Sequence, residues 1–196
     1  MRRVWTGLLL GFLIVAMAPN ALAFHKSRYR ILLHARRDVT DTIGVSGNLI
    51  ESSASGTDFS PYAYFSVDFK VASWLSLSPV VGFQFMSNEA IGAAWIHAHG
   101  GRLWAFGHFE VHPQTWLYYV QTMMEVEVYD QWITAGLDHE SWGFLDDFQD
   151  TSSFGAGPNV LLSMGKARFD IVMHYRDRPT LGWAPEFSIR FHYYFR

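Results

Sequence analysis

The chain of 196 residues has no cysteine, so neither a disulfide framework nor an N-terminal lipid-modified Cys is available to it. After its first two dozen residues it has no continuous apolar run approaching the ~20 residues that a spanning helix requires. It also has no strong charge of either sign. A formal net charge of −3 is too mild to imply a nucleic-acid partner, and none is expected. What it does have is 16 Phe, 9 Tyr and 8 Trp, distributed in a regular pattern.

Residues 1–23 read as an export signal. Met1-Arg2-Arg3 is a basic start, residues 8–17 are apolar, and Ala21-Leu22-Ala23 has the small-x-small form of a signal-peptidase site. Cleavage before Phe24 would remove two arginines and move the formal charge to −5. The remainder, 24–196, reads as one domain without a linker or low-complexity tract. An exported, half-apolar chain with no helical anchor belongs either in the periplasm or beyond it, or in the outer membrane.

From Trp183 onward the chain alternates two chemistries. Trp183, Pro185, Phe187, Ile189, Phe191, Tyr193 and Phe195 share one parity; Glu186, Ser188, Arg190, His192 and Tyr194 share the other. A period of two is a β-strand with one apolar and one polar face. An apolar face this long and aromatic suits a strand that meets lipid outside and a polar lumen inside. The same alternation repeats upstream. Ala63, Phe65, Val67, Phe69 and Val71 oppose Tyr64, Ser66, Asp68 and Lys70, and Trp116 to Val128 oppose Tyr119, Gln121, Glu125 and Glu127.

Ten strands are expected, with eight as the alternative: a closed antiparallel transmembrane β-barrel. The first, at 28–39, is the least regular, because Ile31-Leu32-Leu33 breaks the alternation. The polar stretch 40–60 reads as a long loop, within which 43–50 could extend a strand above the membrane. Counting back from a periplasmic C-terminus, long connections at 40–60, 143–152 and 177–182 fall outside. Short ones at 73–74, 100–101, 129–130 and 165–166 fall in the periplasm, the asymmetry normal for such barrels. A lipocalin-like barrel, with its apolar side turned inward around a ligand, fits the same alternation from the opposite side.

The last strand resembles the C-terminal sorting signal of outer-membrane β-barrel proteins, with Phe191, Tyr193 and Phe195 alternating at the end of the chain; Arg196 follows the last aromatic. The resemblance covers about ten residues and implies recognition by the barrel-insertion machinery. It carries no information about activity.

The inward parity is crowded with ionisable side chains, among them Asp68, His97, His108, Glu110, Glu125, Asp138, Glu140, Asp170, His174, Arg176, Glu186, Arg190 and His192. A lumen of eight to ten strands is narrow and largely filled by side chains, so these groups are expected to pair into a polar plug. The alternative is a path for ions or small solutes. His97-x-His99, beside His108 and Glu110, is weak evidence for a metal site without a fixed third ligand. No metal or cofactor is assigned.

One arrangement on the outward parity could be catalytic. His139 and Ser141 lie two apart on one strand, where a His can act as base and a Ser as nucleophile. The pair resembles the H-x-S of outer-membrane phospholipase A and of the lipid A deacylases, whose active sites face lipid from the barrel exterior. In those families Asn commonly follows the pair, whereas here Trp142 does. The resemblance implies a serine esterase acting on acyl esters of membrane lipid. A second H-x-S, His25-Lys26-Ser27, shows how cheaply the pattern arises. The sequence is therefore read first as an outer-membrane barrel with a structural or partner-binding role, in contact with outer-membrane lipids. A lipid hydrolase and a narrow channel are the alternatives.

Overall fold

The computed structural model describes residues 26–54, 60–130, 132–177 and 182–195; residues 1–23, expected to be an export signal, and Arg196 lie outside them. Among the described residues eleven strands close into one barrel. They are β1 (Lys26–Asp38), β2 (Ile43–Ala54), β3 (Ser60–Ala72), β4 (Leu75–Gln84), β5 (Glu89–Gly100), β6 (Leu103–His112), β7 (Leu117–Tyr129), β8 (Ile133–Phe144), β9 (Ser153–Met164), β10 (Ala167–Asp177) and β11 (Ala184–Phe195). The one helix among the described residues is α1 (Phe148–Thr151), in the β8–β9 connection. No helix among the described residues is long and apolar enough to cross a membrane.

The fold is the closed all-β barrel expected, with one strand more than the ten counted from sequence. The additional strand is β2, which the polarity of 40–60 disguised as loop. Half of its residues are small (among them Gly44, Ser46, Gly47 and Ser52), and its outward apolar row of Ile43, Val45 and Leu49 is interrupted by Gly47 and ends at Glu51, so it lacks the long bulky row that marks the other strands. It nevertheless pairs along its length with β1, from Arg28↔Ala54 to Asp38↔Gly44, and with β3, from Ile43↔Phe69 to Ser52↔Ser60.

An odd count forces a parallel seam. Ten neighbouring pairs are antiparallel, and β1 closes onto β11 in parallel register from Lys26↔Glu186 to Ala35↔Phe195. Single-chain bacterial outer-membrane barrels have even counts, while one mitochondrial barrel has nineteen strands. Connections after β3 sort to the two ends of the barrel in the groups expected, because the added strand precedes them all. The end of the barrel that holds Phe195 has the tight turns 39–42, 73–74, 101–102 and 165–166; Gly101 and Gly165 take φ of 59° and 64° there, values that favour glycine. The opposite end has the longer connections, including 145–152 with α1. The start of β1 lies at that end too, opposite the C-terminus.

Closure decides which parity is inside. The charged row is buried: Glu140 and Arg176 are 0% exposed, Asp138 1% and Arg190 2%. The apolar row is outside, with Leu137 66% and Val81 64% exposed and Phe65, Met124, Phe154 and Ile189 exposed in the same belt. A lipocalin-like arrangement would have the reverse. Inside, a small apolar cluster of Tyr64, Val80, Ile91 and Trp95 packs on the β3–β5 side.

Candidate functional site

Four guanidinium groups and four carboxylates meet on the β8–β1 side of the lumen. Their positions follow from strand parity and tilt, which bring residues far apart in sequence to one level. Glu140 of β8 is the hub. Arg30 Nη1 and Arg190 Nη2 donate to its Oε1 at 2.7 and 2.8 Å, Arg176 Nη2 reaches Oε2 at 3.3 Å, and Arg28 also pairs with Oε2. Arg190 further donates to Asp138 Oδ2 at 2.8 Å and to Asp170 Oδ2 at 2.9 Å. Glu186 accepts from Arg176 Nε at 3.2 Å and lies 2.6 Å from Arg28 Nη2.

A histidine, an amide and a phenol extend the network. His174 Nε2 is 2.6 Å from Asp138 Oδ1, Gln121 Nε2 donates to Asp138 Oδ2 at 2.9 Å, and Tyr119 OH donates to Glu140 Oε1 at 3.0 Å. Arg176 also lies over the Trp142 ring at 3.9 Å. Such burial of charge persists only because each charge faces an opposite one at hydrogen-bonding distance. Four arginines balance four acids, so the network is formally neutral.

A second chain of ionisable groups runs toward the end with longer connections. His112 is held between two carboxylates, Nδ1 at 2.9 Å from Glu89 Oε2 and Nε2 at 2.7 Å from Glu110 Oε1. Tyr64 OH donates to Glu110 Oε2 at 2.9 Å, and His108 Nε2 lies 2.9 Å from that same oxygen without hydrogen-bonding geometry.

The lumen is not filled throughout. Beside the arginine network a cavity of about 470 Å³ lies against β1–β6, with β7 and β11 completing its wall. It exists because the strands facing it carry small inward residues: Ser46 and Asn48 on β2, Ser76 and Ser78 on β4. Its lining extends from His112 and Leu117, toward the longer connections, to Arg36 and Tyr194, toward the tight turns.

The sequence-derived candidates fall in different places. His139 and Ser141 are on the outward row of β8, as parity requires, with Ser141 beside Val120 and Phe154 in the flanking strands. They are not hydrogen-bonded to each other. His139 Nδ1 is 3.2 Å from Thr122 Oγ1, its ring packs on Phe154 at 4.7 Å, and its Nε2 is buried without a partner. The acidic residues adjacent to His139 in sequence, Asp138 and Glu140, point into the arginine network on the other face. His97 packs on Phe106 at 4.9 Å, and no group of three or more His, Asp or Glu suited to a metal ion occurs among the described residues.

Sequence reading missed Arg28 and Arg30, half of the cationic side of the network, because the Ile31-Leu32-Leu33 run made β1 look irregular. Their two-residue spacing, continued by His34 and Arg36, was the available signal. Set against protein-family models, curated proteins and solved structures, the chain matches none of them.

Proposed function

We propose that this chain is an integral outer-membrane β-barrel with a structural or partner-binding role, its lumen obstructed by the arginine–carboxylate network. The observation that carries this reading is the inversion of chemistry across the wall: an exposed belt of Phe, Leu, Val, Ile and Met surrounds an interior of buried ion pairs. In water that belt would be an aggregation surface far larger than monomeric soluble proteins expose. In a bilayer it is the surface that solvates the protein, and backbone groups are satisfied by closure. The aromatic end of β11, Phe191 to Phe195, suits recognition by the barrel-insertion machinery. The test is cell fractionation with gel mobility: the protein fractionates with outer membranes and runs faster unboiled than boiled. Recovery in a soluble periplasmic extract would overturn the proposal.

The cavity favours a second reading, a narrow path for ions or small solutes, because its lining extends along much of the barrel beside the network. Single-channel recording separates the two. A lipid-hydrolase role for His139 and Ser141 stands as a third, supported by their outward position on β8 and by the unpartnered His139 Nε2.

A further inference from the structure

The charged groups that line the cavity are already matched within the protein. Asp68 and Glu110 are its two carboxylates, and both are buried. Asp68 accepts from the Ser46 and Ser66 hydroxyls at 3.1 and 3.0 Å. Glu110 accepts from Tyr64 OH at 2.9 Å and lies 2.7 Å from His112 Nε2. Of the arginines, Arg28, Arg30 and Arg190 pair with Glu140, and Arg36 pairs with Asp38 at 3.1 Å and Asp68 at 3.6 Å. Arg30 Nε also donates to Ser52 Oγ at 3.3 Å. The lining thus offers a charged ligand no unmatched charge among the described residues, and a charge entering it would give up its hydration without return.

Rings and aliphatic groups are what the wall leaves open. Tyr62 on β3 and Trp104 and Phe106 on β6 point into the lumen and are only half-buried, so the surface they keep is lumen surface. Leu32 on β1 and Ile50 on β2, across the lumen from β6, are half-buried in the same way. The rings share orientations. Trp104 and Phe106 lie 6° apart with centroids at 6.0 Å, and Tyr62 and Tyr64 lie 8° apart at 6.2 Å. A flat molecule packed on one ring of a parallel pair is parallel to the other as well, an alignment from which a flexible chain gains nothing. A volume of about 470 Å³ lies within the range of small-molecule sites, whose walls are predominantly hydrophobic and aromatic.

We infer that this cavity binds a small, uncharged, flat aromatic molecule of hydrocarbon character, held between the rings of Trp104 and Phe106 on one side and the aliphatic groups of Leu32 and Ile50 on the other. Its recognition is by shape and ring packing and calls on no hydrogen bond from the wall. The site stands on the interior alone and does not depend on what surrounds the barrel.

Naphthalene is a suitable probe. Decalin is its saturated counterpart without a π-system, and n-decane is the flexible chain of equal carbon number. In the barrel labelled with 5-fluorotryptophan and folded in detergent micelles, the ¹⁹F signal of Trp104 is assigned by its loss in Trp104→Phe. The micelle is controlled internally, because Trp74, Trp116, Trp132 and Trp183 are each about half exposed on the outside of the barrel. Naphthalene is expected to move the Trp104 signal saturably, while those four signals drift without saturation as it dissolves in detergent. Decalin and n-decane leave Trp104 in place. Phe106→Leu keeps an apolar side chain but removes one ring face, and weakens naphthalene binding about fivefold, the effect of losing one aromatic contact. Should Trp104→Phe not fold, nuclear Overhauser contacts from naphthalene to the ring lost in Phe106→Leu locate the ligand independently. A Trp104 signal that moves no more than the outer four, an equal response to decalin or n-decane, or unchanged affinity in Phe106→Leu would overturn the inference.

Discussion

Arg190 Nη2 donates to Glu140 Oε1 at 2.8 Å, joining β11 to β8 across fifty residues of sequence at a point where Glu140 is fully buried. Neither residue is exceptional alone. Their meeting closes the lumen on one side, and three further arginines, Arg28, Arg30 and Arg176, converge on the same Glu140 carboxylate.

Glu140→Gln should therefore be among the most damaging single changes in the interior. It keeps the volume and removes the charge that Arg28, Arg30, Arg176 and Arg190 share. Breaking a buried pair by removing one partner typically costs about 3–5 kcal/mol. The urea midpoint of the barrel in detergent, read by the unboiled gel shift, is expected to fall accordingly. Arg36→Gln should shift it far less, since Arg36 is half-exposed, its partner Asp38 is exposed, and the buried Asp68 keeps the Ser46 and Ser66 hydroxyls as donors.

Leu137 is the discriminating position for what surrounds the barrel. It is mid-strand in β8, opposite Met124 and Pro158, and 66% exposed. Leu137→Arg placed in water would be nearly neutral. Near a bilayer midplane the same change costs about 2–4 kcal/mol. Folding into vesicles, compared between wild type and Leu137→Arg, is expected to show the larger loss, and equal stabilities would argue against a lipid-facing wall.

In planar bilayers the purified barrel is expected to pass no stable current, because the arginine network occupies part of the lumen and aromatic residues line the rest. Stable conductance steps would favour the narrow-path reading instead. In that case Arg190→Met or Glu125→Gln should change ion selectivity, since each alters a charge buried in the interior.

If His139 and Ser141 are catalytic, Ser141→Ala and His139→Asn each abolish fatty-acid release from phospholipid or lipid A. Thr122→Val makes a sharper comparison. It frees the His139 Nδ1 now 3.2 Å from the threonine hydroxyl, and so should raise any activity that depends on His139 turning toward Ser141. The oxyanion would need backbone N–H groups near Gly143, because Trp142 projects inward over Arg176. A wild-type barrel that releases no fatty acid from either lipid, with or without divalent cation, removes this reading.

What the sequence determined by itself is alternation. Period two along β3, β7 and β11 assigns each residue to one of two faces, and this is a local property of extended backbone, legible wherever the faces differ in chemistry. That is why Asp138, Glu140, His174, Arg176 and Arg190 could be grouped on one face, and His139 and Ser141 on the other, before any strand was paired. Alternation is weak where the apolar row is short and broken, as in β2 with Gly47 between Val45 and Leu49, and where an apolar side chain such as Leu32 stands on the inner face of β1. Those two strands carried the error in the count. Tertiary structure decided the rest, because pairing partners, register and closure depend on hydrogen bonds between distant segments. Closure turned the charged face inward, made β1 and β11 parallel, and drew Arg28 and Arg30 to Glu140 across more than a hundred residues. It also set the small side chains of β2 and β4 beside the aromatic residues of β5 and β6, which is what leaves the cavity.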